Sequence, residues 1–172
     1  MSTEEIKINP EKWSEDHVID INKLIYKTKI RKQYHREASQ YCKKWANRLE
    51  LPPILFPIVL APISSTFDSH WWVVYMNMTG FIVSGLLVAI VKHFNFGDLS
   101  KEHIQLSRSY VKLKDNLRTE LTKKEEFRTD VTKFISDSYS EFHQLMSIAP
   151  LLDLQLYDKV KFKIENNTLQ MC

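Results

Sequence analysis

The sequence predicts an all-α membrane protein: a two-span transmembrane helical hairpin, flanked by an N-terminal amphipathic helix and a long C-terminal coiled-coil-like helix, with a short extended tail. Three observations lead there. Across residues 51–91 the only formal charge is Asp68, in a chain that carries 24 basic and 21 acidic residues. That stretch divides into two apolar halves, LPPILFPIVLAPISSTF at 51–67 and WWVVYMNMTGFIVSGLLVAIV at 71–91. A spanning helix needs about 20 apolar residues; the second half meets that length and the first sits at its short limit. On both sides the apolar residues recur at helical spacings of three and four. The competing arrangement, a hairpin buried in a soluble core, would leave a chain of this size little polar surface to cover two adjacent apolar helices.

Composition excludes several function classes. The near balance of charge does not demand nucleic acid, and no recognition motif accompanies the basic residues, so a nucleic-acid partner is not expected. Three glycines in 172 residues rule out a Gly-rich phosphate loop. Two cysteines, Cys42 and Cys172, lie too far apart in sequence for a zinc motif or a disulfide framework. Six histidines show no metal-ligand spacing. No catalytic constellation, metal site, cofactor or small-molecule substrate is expected, and residues 1–20 lack the apolar core of a cleavable signal.

In chain order, residues 1–16 read as a polar arm. Residues 17–49 read as a basic amphipathic helix whose apolar face is Ile21, Leu24, Ile25, Tyr34, Ala38, Tyr41, Trp45 and Leu49. Along it nine cations face only Asp20 and Glu37. Of these, Lys43, Lys44 and Arg48, with Lys92 beyond the second span, are placed to meet anionic lipid headgroups, at about 1 kcal/mol per cation near a membrane surface. Membrane lipid is therefore an expected partner.

The cations crowd before Leu51 and after Val91, whereas the turn carries Asp68 and none. The positive-inside rule then puts both termini in the cytoplasm, with spans at 51–67 and 71–91. Trp71 and Trp72 at one end, and Trp45 and Phe94 at the other, are the expected membrane-interface anchors. Pro52 and Pro53 suit a helix start, while Pro57 and Pro62 predict a kinked or partly unwound first span. In the second span Asn77, Gly80 and Ser84, continuing to Val88, form a polar and small stripe. It fits a close helix contact, within the hairpin or between protomers, and it also fits the wall of a narrow polar pore.

Gly97 is expected to end the second span, with Asp98 or Ser100 capping the next helix. That long cytoplasmic helix is expected over 98–148. Leu106, Tyr110, Leu113, Leu117 and Leu121 make a near-heptad seam that fits packing on the N-terminal helix, on another protomer as an oligomer seam, or both. After Pro150 the tail, 150–172, alternates at Val160, Phe162 and Ile164, predicting an edge strand or an extended segment.

A basic aromatic helix (TKIRKQYHREASQYCKKWANRLE), two closely spaced spans and a further long helix (SKEHIQLSRSYVKLKDNLRTELTKKEEFRTDVTKFISDSY) together resemble the SLATT domain over residues 17–148. That family is the two-span effector module of nucleotide-signalled conflict systems. The resemblance implies an integral membrane protein that forms a homo-oligomer and opens a membrane pore. The alternative is a structural membrane anchor or scaffold that binds coat or scaffold proteins of a larger assembly.

Overall fold

The computed structural model describes residues 13–66, 70–151 and 153–169, with side chains as far as residue 166. Residues 1–12 of the arm expected at 1–16, the turn residue Asp68, and Cys172 lie outside the described residues. Five α-helices follow one another: α1 (Glu15–Thr66), α2 (Trp71–Phe94), α3 (Phe96–Thr122), α4 (Val131–Ser147) and α5 (Leu154–Leu169), with a 3-10 turn at Glu125–Phe127. The chain is all-α, with no strand among the described residues. It packs as two compact units: residues 1–36 with 104–172, and residues 37–103.

In the first unit, α1 opens on a reciprocal cap. The Ser14 N–H donates to His17 Nδ1 at 3.2 Å, and the His17 N–H donates to Ser14 Oγ at 3.4 Å. Two of the orphan donors that begin any helix are thereby satisfied. Glu15 and Asp16 occupy the positive end of the helix dipole. The helix therefore starts at Glu15, two residues before the expected 17.

Ile21 and Leu24 of α1 meet Leu106, Tyr110, Leu113 and Leu117 of α3, and Phe142 and Leu145 of α4, in one buried cluster. Leu121, Phe134, Ile135 and Tyr139 pack around its edge. The near-heptad seam is thus the core of this unit, and Leu113 is 1% exposed. Of the expected partners, the N-terminal helix is the one the seam meets within the chain.

The expected single helix over 98–148 is broken. α3 stops at Thr122, and the chain turns through Glu125–Phe127 before α4 begins. The stretch TKKEEFRTD offers no apolar face to bury, and its polar groups find better partners than a continued helix. Arg128 donates from Nε to the Lys123 carbonyl and from Nη2 to the Leu121 carbonyl, closing the C-terminus of α3. Asp130 then caps α4 by accepting the Lys133 N–H at 3.0 Å.

The tail is a further correction. Residues 154–169 form α5 rather than an extended strand. Asp153 Oδ1 accepts the N–H groups of Gln155 and Leu156, an N-cap that nucleates helix. Val160 and Ile164 stand at i and i+4 as well as at alternate positions; Phe162 separates the two periods. It is 66% exposed while Val160 is 0%, so the buried face is helical. The Asp153 N–H also donates to Tyr34 Oη at 3.0 Å, fixing the start of α5 against α1.

In the second unit α1 remains α-helical through Pro52, Pro53, Pro57 and Pro62. The expected unwinding does not occur, and Pro52 and Pro53 lie inside the helix rather than at its start. Between α2 and α3 the chain turns on one residue, Asn95, at φ 44° in the left-handed region. Asn tolerates this conformation better than other residues bearing a side chain, glycine apart. The Asn95 N–H closes on the Val91 carbonyl, and the Leu99 N–H on the Asn95 carbonyl. Gly97, the expected terminator, lies inside α3 instead.

Candidate functional site on the apolar hairpin

In the second unit, α1 and α2 run antiparallel, and the stripe on α2 is where they touch. Ser64 Oγ lies 2.9 Å from Asn77 Oδ1 and donates to the Leu60 carbonyl at 2.8 Å. One turn along, a Cβ added at Gly80 would fall 2.5 Å from Leu60 Cδ1. The missing Cβ lets the end of the Leu60 side chain lie directly against the α2 backbone, so that a larger side chain at 80 would have to displace it. Asn77 and Gly80 therefore belong to a hairpin-internal contact. Ser84 Oγ, a turn further, is shielded and has no hydrogen-bond partner among the described residues. Val88, expected on the same stripe, is exposed.

Three other hydroxyls in these segments turn back on their own helices: Ser65 and Thr66 to the Pro62 carbonyl, Thr79 to the Tyr75 carbonyl. This leaves a surface almost without polar donors. Leu51, Ile54, Leu55, Ile58 and Val59 of α1, and Val74, Tyr75, Met78, Phe81, Ile82 and Leu86 of α2, are all exposed. Both helices are long and apolar enough to cross a membrane, and their most apolar stretches are 0% and 11% buried within the chain. The core helix of a soluble protein is mostly buried within its own chain; these stretches are not. An exposed apolar surface this extensive marks a contact with lipid or with another protein.

The expected anchors and cations frame this surface. Trp71 is 76% exposed and stacks edge-on with Tyr75; Trp72 is partly exposed beside His70. Phe94, exposed, stacks on Phe96 at 5.5 Å. Trp45 is met edge-on by Tyr41, and the Arg48 guanidinium sits 5.9 Å from the Trp45 ring. Lys43, Lys44, Arg48 and Lys92 are all exposed. They are thus accessible on a surface that carries the aromatic rings as well.

The buried face of α1 follows the expected one as far as Ala38 and departs from it beyond. Ala38, Ser39, Cys42 and Ala46 are buried, whereas Tyr41 is 58% exposed and Trp45 partly so. The reason is close packing. Ser39 Oγ donates to the Ser100 carbonyl and Ser100 Oγ to the Ser39 carbonyl, both at 2.9 Å, so the two backbones approach closely. Large aromatic side chains would hold them apart. Small residues at 38, 42 and 46 were the available signal, outweighed in the sequence by the hydrophobicity of the aromatics.

No group of three or more His, Cys, Asp or Glu residues able to hold a metal occurs among the described residues. Burial pushes the Cys42 thiol up and so keeps it protonated and inert. Burial likewise lowers the His103 pKa, keeping its ring neutral. Compared with family models, curated proteins and solved structures, the chain matches none.

Proposed function

We propose that the chain is a SLATT-like integral membrane protein, crossing a bilayer twice through α1 and α2 with both termini cytoplasmic, and that it oligomerises to permeabilise the membrane. One observation carries this reading: most apolar side chains of residues 51–66 and 71–91 are exposed, on a pair of helices whose Ser64, Asn77 and Thr79 side chains are turned inward or back on their own helix. In water such a surface is unfavourable by about 25 cal/mol per Å². In lipid it is the stable arrangement, because helices satisfy their own backbone groups. Trp71 and Trp72 at one end, and the Trp45, Arg48 and Lys92 group at the other, then fall at the two interfaces.

Assembly uses the outward face, since Asn77 and Gly80 are engaged within the hairpin. A groove of about 580 Å³ beside that contact, with Phe56, Leu60, Tyr75 and Val83 in its wall, offers a recess for a neighbouring helix. Reconstitution in liposomes tests this reading: the protein should form cross-linkable oligomers and release an entrapped ion. Tight vesicles at every protein density would reject permeabilisation.

A second reading is favoured by the position of Asn77. Its amide is matched inside the hairpin rather than presented to a lumen, which suits a membrane anchor or scaffold for a larger assembly. Under that reading the same liposomes stay tight, and the protein co-purifies with coat or scaffold proteins through its first unit.

A further inference from the structure

We propose that the groove between α1 and α5 in the first unit binds an organic anion, a phosphate group carried on a planar or apolar body. The cavity is about 660 Å³, within the range of ligand pockets. Lys23, Lys27 and Lys161 line it together with Tyr26, Tyr157 and Ile30, and no carboxylate does. Lys23 is held by Asp20 at 2.9 Å, whereas Lys27 and Lys161 make no ion pair among the described residues. Lys27 and Lys161 thus bring two ammonium groups without a carboxylate partner to the rim of a largely apolar recess, where an anion would be attracted to both. Lysine supplies point charges to phosphate without demanding a fixed geometry.

The aromatic walls are held in place. The Tyr26 hydroxyl donates to Glu165 Oε1 at 3.2 Å, tying α1 to α5. The Arg31 guanidinium lies 5.0 Å from the centre of the Tyr157 ring, and Tyr34 packs against that ring edge-on. Two oriented rings and Ile30 form a surface for a planar or apolar body, and the lysines take the negative end. Sequence periodicity gave no sign of this site, because it exists only once the tail is helical. The phosphate could belong to an anionic lipid headgroup or to a free phosphate ester; both present the same group to the lysines.

Calorimetric titration of the full chain with 1-naphthyl phosphate, in nanodiscs of neutral phosphatidylcholine, tests the site. Saturable binding is expected, weaker for neutral 1-naphthol. The K27Q/K161Q variant should lose about tenfold in affinity, the equivalent of two exposed charge contacts. The K29Q/K159Q variant, which makes the same change of net charge outside the groove, should match the wild type. Nanodiscs containing phosphatidylglycerol then separate the sources. Competition that vanishes in K27Q/K161Q assigns the groove to a lipid headgroup, and undiminished binding assigns it to a soluble ester. Equal loss in both lysine pairs, equal affinity for phosphate and naphthol, or no saturable binding would overturn the proposal.

Discussion

Ser64 and Asn77 meet across the two apolar helices at 2.9 Å. Ser64 has one proton and two acceptors within reach, the Leu60 carbonyl and Asn77 Oδ1. If the Asn77 amide is turned over, its NH2 donates to Ser64 Oγ while Ser64 donates to Leu60, and both groups are satisfied. A double-mutant cycle with Ser64→Ala and Asn77→Leu should return a coupling of about 0.6–1.7 kcal/mol, the range for hydrogen bonds between membrane helices. Additive effects would show that the two do not interact.

Gly80 and Gly85 provide an internal comparison. Nothing lies within 4 Å of a Cβ added at Gly85, whereas Leu60 Cδ1 is at 2.5 Å from one added at Gly80. Gly80→Ala should be mild, because the end of the Leu60 side chain can swing aside. Gly80→Leu should force the helices apart at a cost of about 1–3 kcal/mol. Gly85→Leu should leave the pair intact. Disulfide trapping between cysteines introduced at positions 64 and 77, whose side chains meet across the two helices, would report the separation, falling only in Gly80→Leu.

Leu113→Asp should destabilise the first unit rather than merely disperse oligomers. Leu113 sits in the cluster with Ile21, Tyr110 and Phe142, and a carboxylate there would be buried without a partner. A loss of about 3–5 kcal/mol is expected, read by chemical denaturation of the helical signal. Wild-type stability with a reduced oligomer would return Leu113 to an intermolecular seam.

Much of this architecture was legible in the chain. The near absence of charge over 51–91, with Asp68 alone, located both apolar segments, and the seam at 106, 110, 113 and 117 located a packing face. Which surface that face would meet was not legible, because a heptad is equally satisfied by a neighbouring helix or a second copy. The helical tail was hidden by Val160 and Ile164, whose four-residue spacing serves either period. Its deciding feature is the Asp153 cap. Periodicity also marked the stripe on α2, but its partners Leu60 and Ser64 follow from register, which the sequence leaves open.

Glu120 was likewise invisible in the sequence, being one carboxylate among many. In the structure its side chain is 6% exposed. Burial alone would raise its pKa, but the Lys123 ammonium at 2.6 Å and the Thr129 N–H at 2.6 Å outweigh that and hold it below the usual carboxylate value. The Trp13 indole in turn donates to the Thr129 carbonyl, under the Arg128 guanidinium. A folded-state pKa below the unfolded one gives stability that is complete above the unfolded value of about 4.5 and is lost as pH falls through the folded value. Glu120→Gln should therefore flatten the acid limb of a stability profile below about pH 4.5. At neutral pH it should cost about 1.5–3 kcal/mol, the scale of a charged hydrogen bond. An unchanged acid limb would place the acid sensitivity elsewhere.

The crossing of the bilayer is tested most directly by accessibility. In a Cys42→Ser, Cys172→Ser background, single cysteines at His70 and at Lys159 can be challenged with a membrane-impermeant maleimide on intact cells. His70→Cys should label at once, and Lys159→Cys only after the membrane is permeabilised. Labelling of both without permeabilisation, of neither, or of Lys159→Cys alone would contradict a hairpin that crosses the bilayer twice with both ends inside.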